Sequence, residues 1–298
     1  MRSVINILFG LFFIVLLFSC KEKQRMSVDF TSEFGFTPGI EGPAVNAKGE
    51  LFAVNFASEG TIGKVNKAGE AEVFIHLPEG SIGNGIRFDQ EGNMFIADYQ
   101  GHKVYRIKKD TRIPEVWAKD STMNQPNDLA IGPGGIIYLS DPNWAENTGK
   151  LWMVSPEREI VLLEEGMGTT NGIEVSPDGK TLYINESAQR VVWKYDIQEN
   201  GKLSNKTKFI SFTDFGLDGM RCDMEGNLYL TRYDKGTVAI VSPEAKILEE
   251  VVLKGKKPSN IAFGGDKGQN CFVTMADRGC FETFEALSPG SYYSKIHY

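Results

Sequence analysis

The sequence predicts an all-β protein folded as a six-bladed β-propeller with four-stranded antiparallel blades. The first observation behind this prediction is a hairpin pattern at residues 127–141, where two apolar stretches flank a turn rich in Gly and Pro. The second is that similar stretches recur six times along the chain, 41 to 47 residues apart. A mostly β unit that repeats near this period is typical of a propeller blade. The 298 residues leave room for six such repeats and no second domain.

The six repeats share a polar residue at the start of the first strand. In a propeller the innermost strand of every blade lines a central channel, so residues in this register are predicted to form one ring. The ring positions are Glu41, Asn84, Asn127, Asn171, Asp218 and Ser259. An alternative is that Asn, Asp and Ser occur here as turn residues, because their side chains hydrogen-bond nearby backbone. This alternative applies most directly to Asn84 and Ser259.

The chemistry of the ring favours a hard divalent cation. Glu41 and Asp218 supply two carboxylates, and Asn127 and Asn171 supply neutral amide oxygens. Calcium takes six to eight oxygen ligands at roughly 2.3 to 2.6 Å, so Ca²⁺ suits this set best, with Mg²⁺, Mn²⁺ and Zn²⁺ as alternatives. Zinc sites usually contain His or Cys, and the three histidines of the chain lie outside the ring register. No Gly-x-Ser-x-Gly motif supports a serine hydrolase.

The N-terminus predicts an exported lipoprotein. Arg2 precedes an apolar run at residues 7–18, which is too short to span a membrane and is typical of a signal peptide. The stretch Leu17-Phe18-Ser19-Cys20 resembles a bacterial lipobox, in which Cys20 would carry the lipid. The predicted organisation is a signal peptide at 1–20, a charged tether at 21–25 and the propeller at 26–298. A plain signal peptide with a coincidental Cys is the alternative.

These features set the expected location and partners. The product would be anchored to a bacterial membrane, facing the periplasm or the cell surface. The net charge of -7, with acidic and basic residues interspersed, argues against a nucleic-acid partner. We expect a monomer.

The last repeat is predicted to be completed by the start of the chain. It lacks a good outer strand, whereas residues 27–31 alternate polar and apolar side chains before the first repeat. We therefore expect this segment to pair into the last blade, which removes exposed sheet edges. Cys222 is predicted to be a core thiol. The spacing of Cys271 and Cys280 leaves open whether they form a disulfide.

Several motifs at blade spacing resemble the gluconolactonase, senescence-marker-protein and regucalcin-like family across residues 36–285. They are Glu41-Gly42-Pro43, Pro126-Asn127-Asp128 with Ser140-Asp141-Pro142, Thr170-Asn171-Gly172, Leu217-Asp218-Gly219 and Asn260-Ile261-Ala262. The resemblance implies a propeller with one divalent metal in its channel. It also implies that Glu41, Asn127, Asn171 and Asp218 are the metal ligands. Asp218 would in addition act as general base or nucleophile.

Further site residues are predicted around these ligands. Asn84 is the nearest match to a position that contacts substrate in the family, while Trp144, Arg232 and Tyr233 lie in loops that could cover the channel mouth. Asp128 and Asp141 are candidates to orient the ligands. For Asp128, strand alternation argues that the side chain points away from the ligands. For Asp141, a simple turn is the alternative.

Family members mostly hydrolyse lactones of sugar acids, so the resemblance implies a metal-dependent hydrolase that opens a small lactone such as gluconolactone. Two alternatives stay open. One is a metal-stabilised propeller that binds a carbohydrate or other small ligand without turnover, because fold alone does not settle function. The other is hydrolysis of a phosphotriester-like substrate by the same site.

Overall fold

A computed structural model describes residues 24–292 of the chain. The predicted signal peptide, the lipidation site Cys20 and the first three residues of the tether lie outside this range. Within residues 24–292, no helix has the length and apolar character needed to cross a membrane.

The described chain contains 24 strands and one short 3-10 helix, at Pro133–Gly135. Strand β1 spans Val28–Asp29. Blade one contains β2 (Phe36–Val45), β3 (Leu51–Phe56), β4 (Thr61–Val65) and β5 (Ala71–His76), and blade two contains β6 (Gly83–Phe88), β7 (Met94–Asp98), β8 (Lys103–Ile107) and β9 (Pro114–Lys119). Blade three contains β10 (Leu129–Ile131), β11 (Ile137–Asn143), β12 (Thr148–Val154) and β13 (Ile160–Met167), and blade four contains β14 (Thr170–Val175), β15 (Thr181–Glu186), β16 (Val191–Ile197) and β17 (Leu203–Ser211). Blade five contains β18 (Met220–Cys222), β19 (Leu228–Arg232), β20 (Thr237–Val241) and β21 (Ile247–Val252), and blade six contains β22 (Pro258–Gly264), β23 (Asn270–Met275) and β24 (Cys280–Glu285).

The strands form six separate four-stranded antiparallel sheets arranged in a ring, which confirms the predicted six-bladed propeller. Five sheets consist of four strands consecutive in sequence, and the innermost strand comes first in each. In the sixth sheet the order is β1-β24-β23-β22, with Val28 opposite Thr283. The outer strand of blade six therefore comes from the start of the described chain.

Six apolar clusters hold the blades together, one between each pair of neighbours. The cluster between blades one and two joins Val54 and Ile62 to Ile86 and Ile96, for example. The other five clusters join the remaining pairs of adjacent blades in the same way. Because both faces of each sheet are buried, the central strands are apolar almost throughout. Polar side chains in these strands are therefore concentrated at the channel.

The three cysteines in the described range are free thiols. Cys222, Cys271 and Cys280 are all buried. Cys222 lies in the apolar cluster between blades four and five, as predicted for a core thiol. Cys271 faces Phe284 and Cys280 faces Met275 across the β23–β24 pair, so the two thiols are not cross-strand partners.

The segment before blade one should contribute measurably to stability. The Phe30 ring packs against Phe272 at 4.7 Å, and the Ser27 N–H donates to the Val252 carbonyl at 3.0 Å. Burial of one aromatic side chain contributes about 1.5 to 3 kcal/mol. We expect a fragment starting at residue 32 to melt at least ~5 °C below one starting at residue 24. Equal melting temperatures in calorimetry would contradict this.

Candidate metal centre and active site

The predicted ring residues lie at one mouth of the channel, called here the ring-side mouth, where the inner strands begin. Glu41, Asn127 and Asn171 are buried, and Asp218 is partly exposed. Asn171 and Glu41 both lie close enough to the Asp218 carboxyl group to shift its pKa. The structure thus brings carboxylates from blades one and five together with an amide from blade four.

The ring contains buried oxygens that lack any hydrogen-bond partner in the protein. These are Glu41 Oε1, Asn127 Oδ1 and Asn171 Oδ1. Leaving a buried polar atom unpaired costs about 1 to 3 kcal/mol, so such atoms usually have a function or a bound partner. Three of the four predicted ligands therefore each present a free oxygen, as coordination of a hard divalent cation requires.

A neighbouring strand adds one more such oxygen. Asn185 on β15 donates its amide to the Asp218 carbonyl oxygen at 2.6 Å and leaves its own Oδ1 unpaired. The sequence analysis did not identify this residue. No cluster of three or more His, Cys, Asp or Glu side chains able to bind a metal occurs in the described range. The ring is a different kind of site, because amides supply half of its predicted ligands.

The two carboxyl groups of the ring lie close together with few solvent contacts, which disfavours their ionised forms. Burial, together with the nearby Asp128 carboxylate, raises the pKa of Glu41 from 4.5 to about 7. Burial and the charge of Glu41 raise the pKa of Asp218 well above its ordinary value. A cation at the ring would relieve this repulsion. The residues present are therefore a good fit for a divalent metal.

Asp128 does not point away from the ring as strand alternation suggested. Its carboxylate is fully buried in the channel, 2.9 Å from Arg87 Nη1 and 3.3 Å from Arg221 Nη1. Burial alone would raise the pKa of Asp128, but the two guanidinium groups outweigh it and lower the pKa below the ordinary value. Asp128 is therefore held ionised next to the ring.

The sequence analysis did not identify Arg87 and Arg221, although the residue types at their position in the repeat could have pointed to them. Three residues after the ring positions, the six blades carry Ala44, Arg87, Ala130, Glu174, Arg221 and Ala262. Three alanines leave space in the channel for three long charged side chains. With Asp128, these form a charged layer directly below the ring.

Asp141 acts on the loop that leads to Asn127. Its buried carboxylate accepts hydrogen bonds from the backbone N–H groups of Asn124 and Gln125, at 2.8 and 2.6 Å, and from Trp152 Nε1 at 2.8 Å. Burial raises the pKa of Asp141, and these donors partly offset the effect. Asp141 thereby anchors the segment before Asn127 without reaching the ring itself.

The predicted substrate contacts fall into two groups. Asn84 is partly exposed and donates to the Asn127 carbonyl oxygen at 3.1 Å, which places it beside the ring. Trp144, 38% exposed, lies in the loop between β11 and β12, which ends at the ring-side mouth. Tyr233 lies near the site, because burial and then the charge of Asp218 raise its pKa to about 12. These three stay candidates for contact with a ligand.

Arg232 belongs to the second group, because its side chain is buried and paired within the protein, and contact with substrate stays a prediction. Its side chain is only 1% exposed and donates to Asp214 at 2.7 Å and to Glu250 at 3.3 Å. The guanidinium also stacks on Phe212 at 3.8 Å. Ser259 is likewise occupied, because its hydroxyl donates to the Ile40 carbonyl at 2.7 Å. Sequence spacing could not show these competing partners.

A cavity of about 650 Å³ opens at the opposite mouth of the channel. Its walls come from turns between the first and second strands of the blades, such as 132–135 and 177–179, and Arg87 and Arg221 lie among its lining residues. None of the four predicted metal ligands lines it. The cavity and the ring are therefore separate, and the charged layer lies between them.

Comparison with known proteins shows the family of the chain. Residues 40–277 match the family model described as the SMP-30/Gluconolactonase/LRE-like region. The chain therefore belongs to this family. It is 29% identical to a gluconolactonase from Zymomonas mobilis over 65% of this chain and 60% of that protein. It is 33% identical to regucalcin from Xenopus laevis over 74% of this chain and 76% of that protein.

The fold of the family is also seen in solved structures. A calcium-binding protein, regucalcin, from Agrobacterium tumefaciens superposes with a TM-score of 0.76 and 20% identity, covering 88% of this chain and 98% of that one. At this identity the likeness supports the six-bladed fold.

The metal-free protein should lose stability as pH rises from about 4.5 to about 7. In this interval the folded state keeps a proton on Glu41 that the unfolded chain has released, because burial raises the pKa of this group to about 7. Since the unfolded state binds fewer protons, the free energy of unfolding falls with increasing pH. Urea titrations of metal-free wild type and Glu41→Gln at several pH values test this. A wild-type slope equal to that of Glu41→Gln would contradict it.

Proposed function

We propose that this protein is a lactone hydrolase whose reaction takes place at the ring-side mouth with a divalent cation, Ca²⁺ being the best fit. The observation that carries the proposal is the set of three unpaired buried oxygens next to the Asp218 carboxyl group. The relationship to a gluconolactonase supports a lactone of a sugar acid as the substrate class.

Glu41, Asn127, Asn171 and Asp218 would hold the cation. When bound, a divalent cation supplies a Lewis acid that polarises the carbonyl of the lactone. Asp218 is the ring carboxylate that solvent and substrate can reach, because it is partly exposed whereas Glu41 is buried. Glu41 is therefore assigned to binding, and Asp218 to both binding and proton transfer.

In the proposed reaction Asp218 takes up one proton and later returns it. Asp218 accepts a proton from a water molecule as the water oxygen attacks the carbonyl carbon of the lactone. The bond between that carbon and the ring oxygen then breaks, and Asp218 returns the proton to the departing oxygen. The product is the open-chain hydroxy acid.

The residues around the mouth suit a small polar ring. Asn84 offers an amide beside Asn127, while Trp144 and Tyr233 offer aromatic faces on loops of blades three and five. Aromatic faces combined with a few polar groups are typical of sites for small polar molecules. We assign these three residues to substrate binding.

We expect the fragment 24–298 to hydrolyse aldonolactones with calcium and to lose this activity with chelator. Asp218→Asn should lower kcat about 10²- to 10⁴-fold, because it removes the proton acceptor. Proton release from a lactone panel, corrected for spontaneous hydrolysis, measures this. Asp223→Asn is the matched control, since Asp223 is a fully buried carboxylate in the same blade whose hydrogen-bond donors are Glu225, Asn227 and the Tyr229 hydroxyl, outside the ring.

The same assay decides between the proposal and its alternatives. Full activity of Asp218→Asn would remove Asp218 from the mechanism. Calcium that raises the melting temperature without turnover of any lactone would instead support a binding protein. A phosphotriester included in the panel tests the other hydrolase alternative.

Labelled water distinguishes proton transfer by Asp218 from direct attack by its carboxylate. Asn171 and Glu41 lie close to the Asp218 carboxyl group and restrict the space through which it could approach a carbonyl carbon. We therefore expect a single turnover in ¹⁸O-water to place the label in the hydroxy acid. Label found in Asp218 by mass spectrometry of peptides would show covalent catalysis instead.

A further inference from the structure

Asn260 occupies an unusual position in the channel. It lies on β22, one residue after the ring position of blade six, and its side chain is fully buried. In this register the six blades carry Gly42, Gly85, Asp128, Gly172, Gly219 and Asn260. Only blades three and six therefore place a polar side chain here, and Asn260 has no role in the site described so far.

The hydrogen bonds of Asn260 define the orientation of its amide. Oδ1 accepts the backbone N–H of Ile261 at 2.9 Å. Nδ2 donates to Glu41 Oε2 at 2.8 Å and to Asp128 Oδ2 at 3.3 Å. A flipped amide would place its oxygen against two carboxylates and its N–H₂ against a backbone N–H, so this orientation is the only one with matched partners.

These contacts determine which oxygen Glu41 presents to the ring. Glu41 Oε2 accepts hydrogen bonds from Asn260 and from the Gly42 N–H, whereas Oε1 is buried without a partner. With one oxygen held on two donors, the carboxylate cannot rotate without losing both bonds. The free oxygen is thereby kept available.

The frame that holds Asn260 is itself rigid. Asp128 is clamped between Arg87 and Arg221, so the second acceptor of the Asn260 amide is anchored in the charged layer. Gly219 of the neighbouring blade leaves the space that the amide fills, because a Cβ there would lie 2.0 Å from Asn260 Cγ. The amide has no room to adopt another position.

We propose that Asn260 is a positioning residue that aims Glu41 Oε1 at the bound cation. This inference rests on the metal centre of the proposed function. Asn260 would act through Glu41 and would not coordinate the metal, since its Nδ2 faces Glu41 and its Oδ1 is bonded to Ile261.

The test is calorimetric titration of metal-free wild type, Asn260→Leu and Asn227→Leu with calcium. Leucine has nearly the shape of asparagine but donates no hydrogen bond. Loss of a residue that orients a metal ligand typically weakens metal affinity about 10- to 100-fold, and we expect this for Asn260→Leu. Asn227 is the matched control, because it also donates to a carboxylate, Asp223 at 2.9 Å, in a turn outside the ring.

The outcomes separate the possible failures. A residue with a purely structural role would lower the melting temperature of the metal-free protein and leave calcium affinity unchanged, as expected for Asn227→Leu. Equal calcium affinity in wild type and Asn260→Leu would overturn the inference while leaving the metal centre intact. No binding of Ca²⁺, Mg²⁺ or Mn²⁺ to wild type would instead refute the metal centre itself.

A second variant keeps the inference testable if Asn260→Leu does not fold. Gly219→Ala keeps asparagine at position 260. It must nevertheless displace the side-chain amide, because the added Cβ would lie 2.0 Å from Asn260 Cγ. We expect weaker calcium binding by the folded Gly219→Ala protein, again by about 10- to 100-fold. Unchanged affinity would overturn the proposed role.

Discussion

The main physical constraint on the channel is a local excess of negative charge at its ring-side mouth. Glu41 and Asp218 approach each other with few solvent contacts, and burial raises the pKa of both. Carboxylates are costly to bury without a counter-charge, so two of them side by side support the cation proposed above. The unpaired amide oxygens of Asn127 and Asn171 fit the same explanation, because no group in the described part of the protein donates a hydrogen bond to them.

The propeller fold tolerates these buried carboxylates. Each pair of neighbouring blades encloses its own apolar cluster, so stability comes from six interfaces around the ring. The channel itself contributes polar and charged groups. Because the ligands come from four different blades, their geometry depends on how those blades pack and on no single hairpin.

The channel has two chemically different ends. At the ring-side mouth, carboxylates and amides present free oxygens. Below them, Arg87, Arg221, Asp128 and Glu174 form a charged layer that closes the path towards the cavity at the opposite mouth. The guanidinium groups keep Asp128 ionised and fixed, and Asp128 in turn shares a hydrogen-bond donor with Glu41. The charged layer thus supports the ring from below.

The sequence by itself determined the six-bladed fold and the positions of the ring residues, because a regular repeat and the strand register are local properties of the chain. It did not predict that Arg232 is buried under Asp214 and Glu250, or that Asn260 bonds Glu41 across 219 positions of the chain. The Asn260–Glu41 bond arises only where blades one and six meet at the channel, and the Arg232 pairs form only where β21 and the segment before blade five pack against β19. Tertiary structure alone decided them, since the partner of a buried polar group is set by packing between blades and not by its neighbours in sequence.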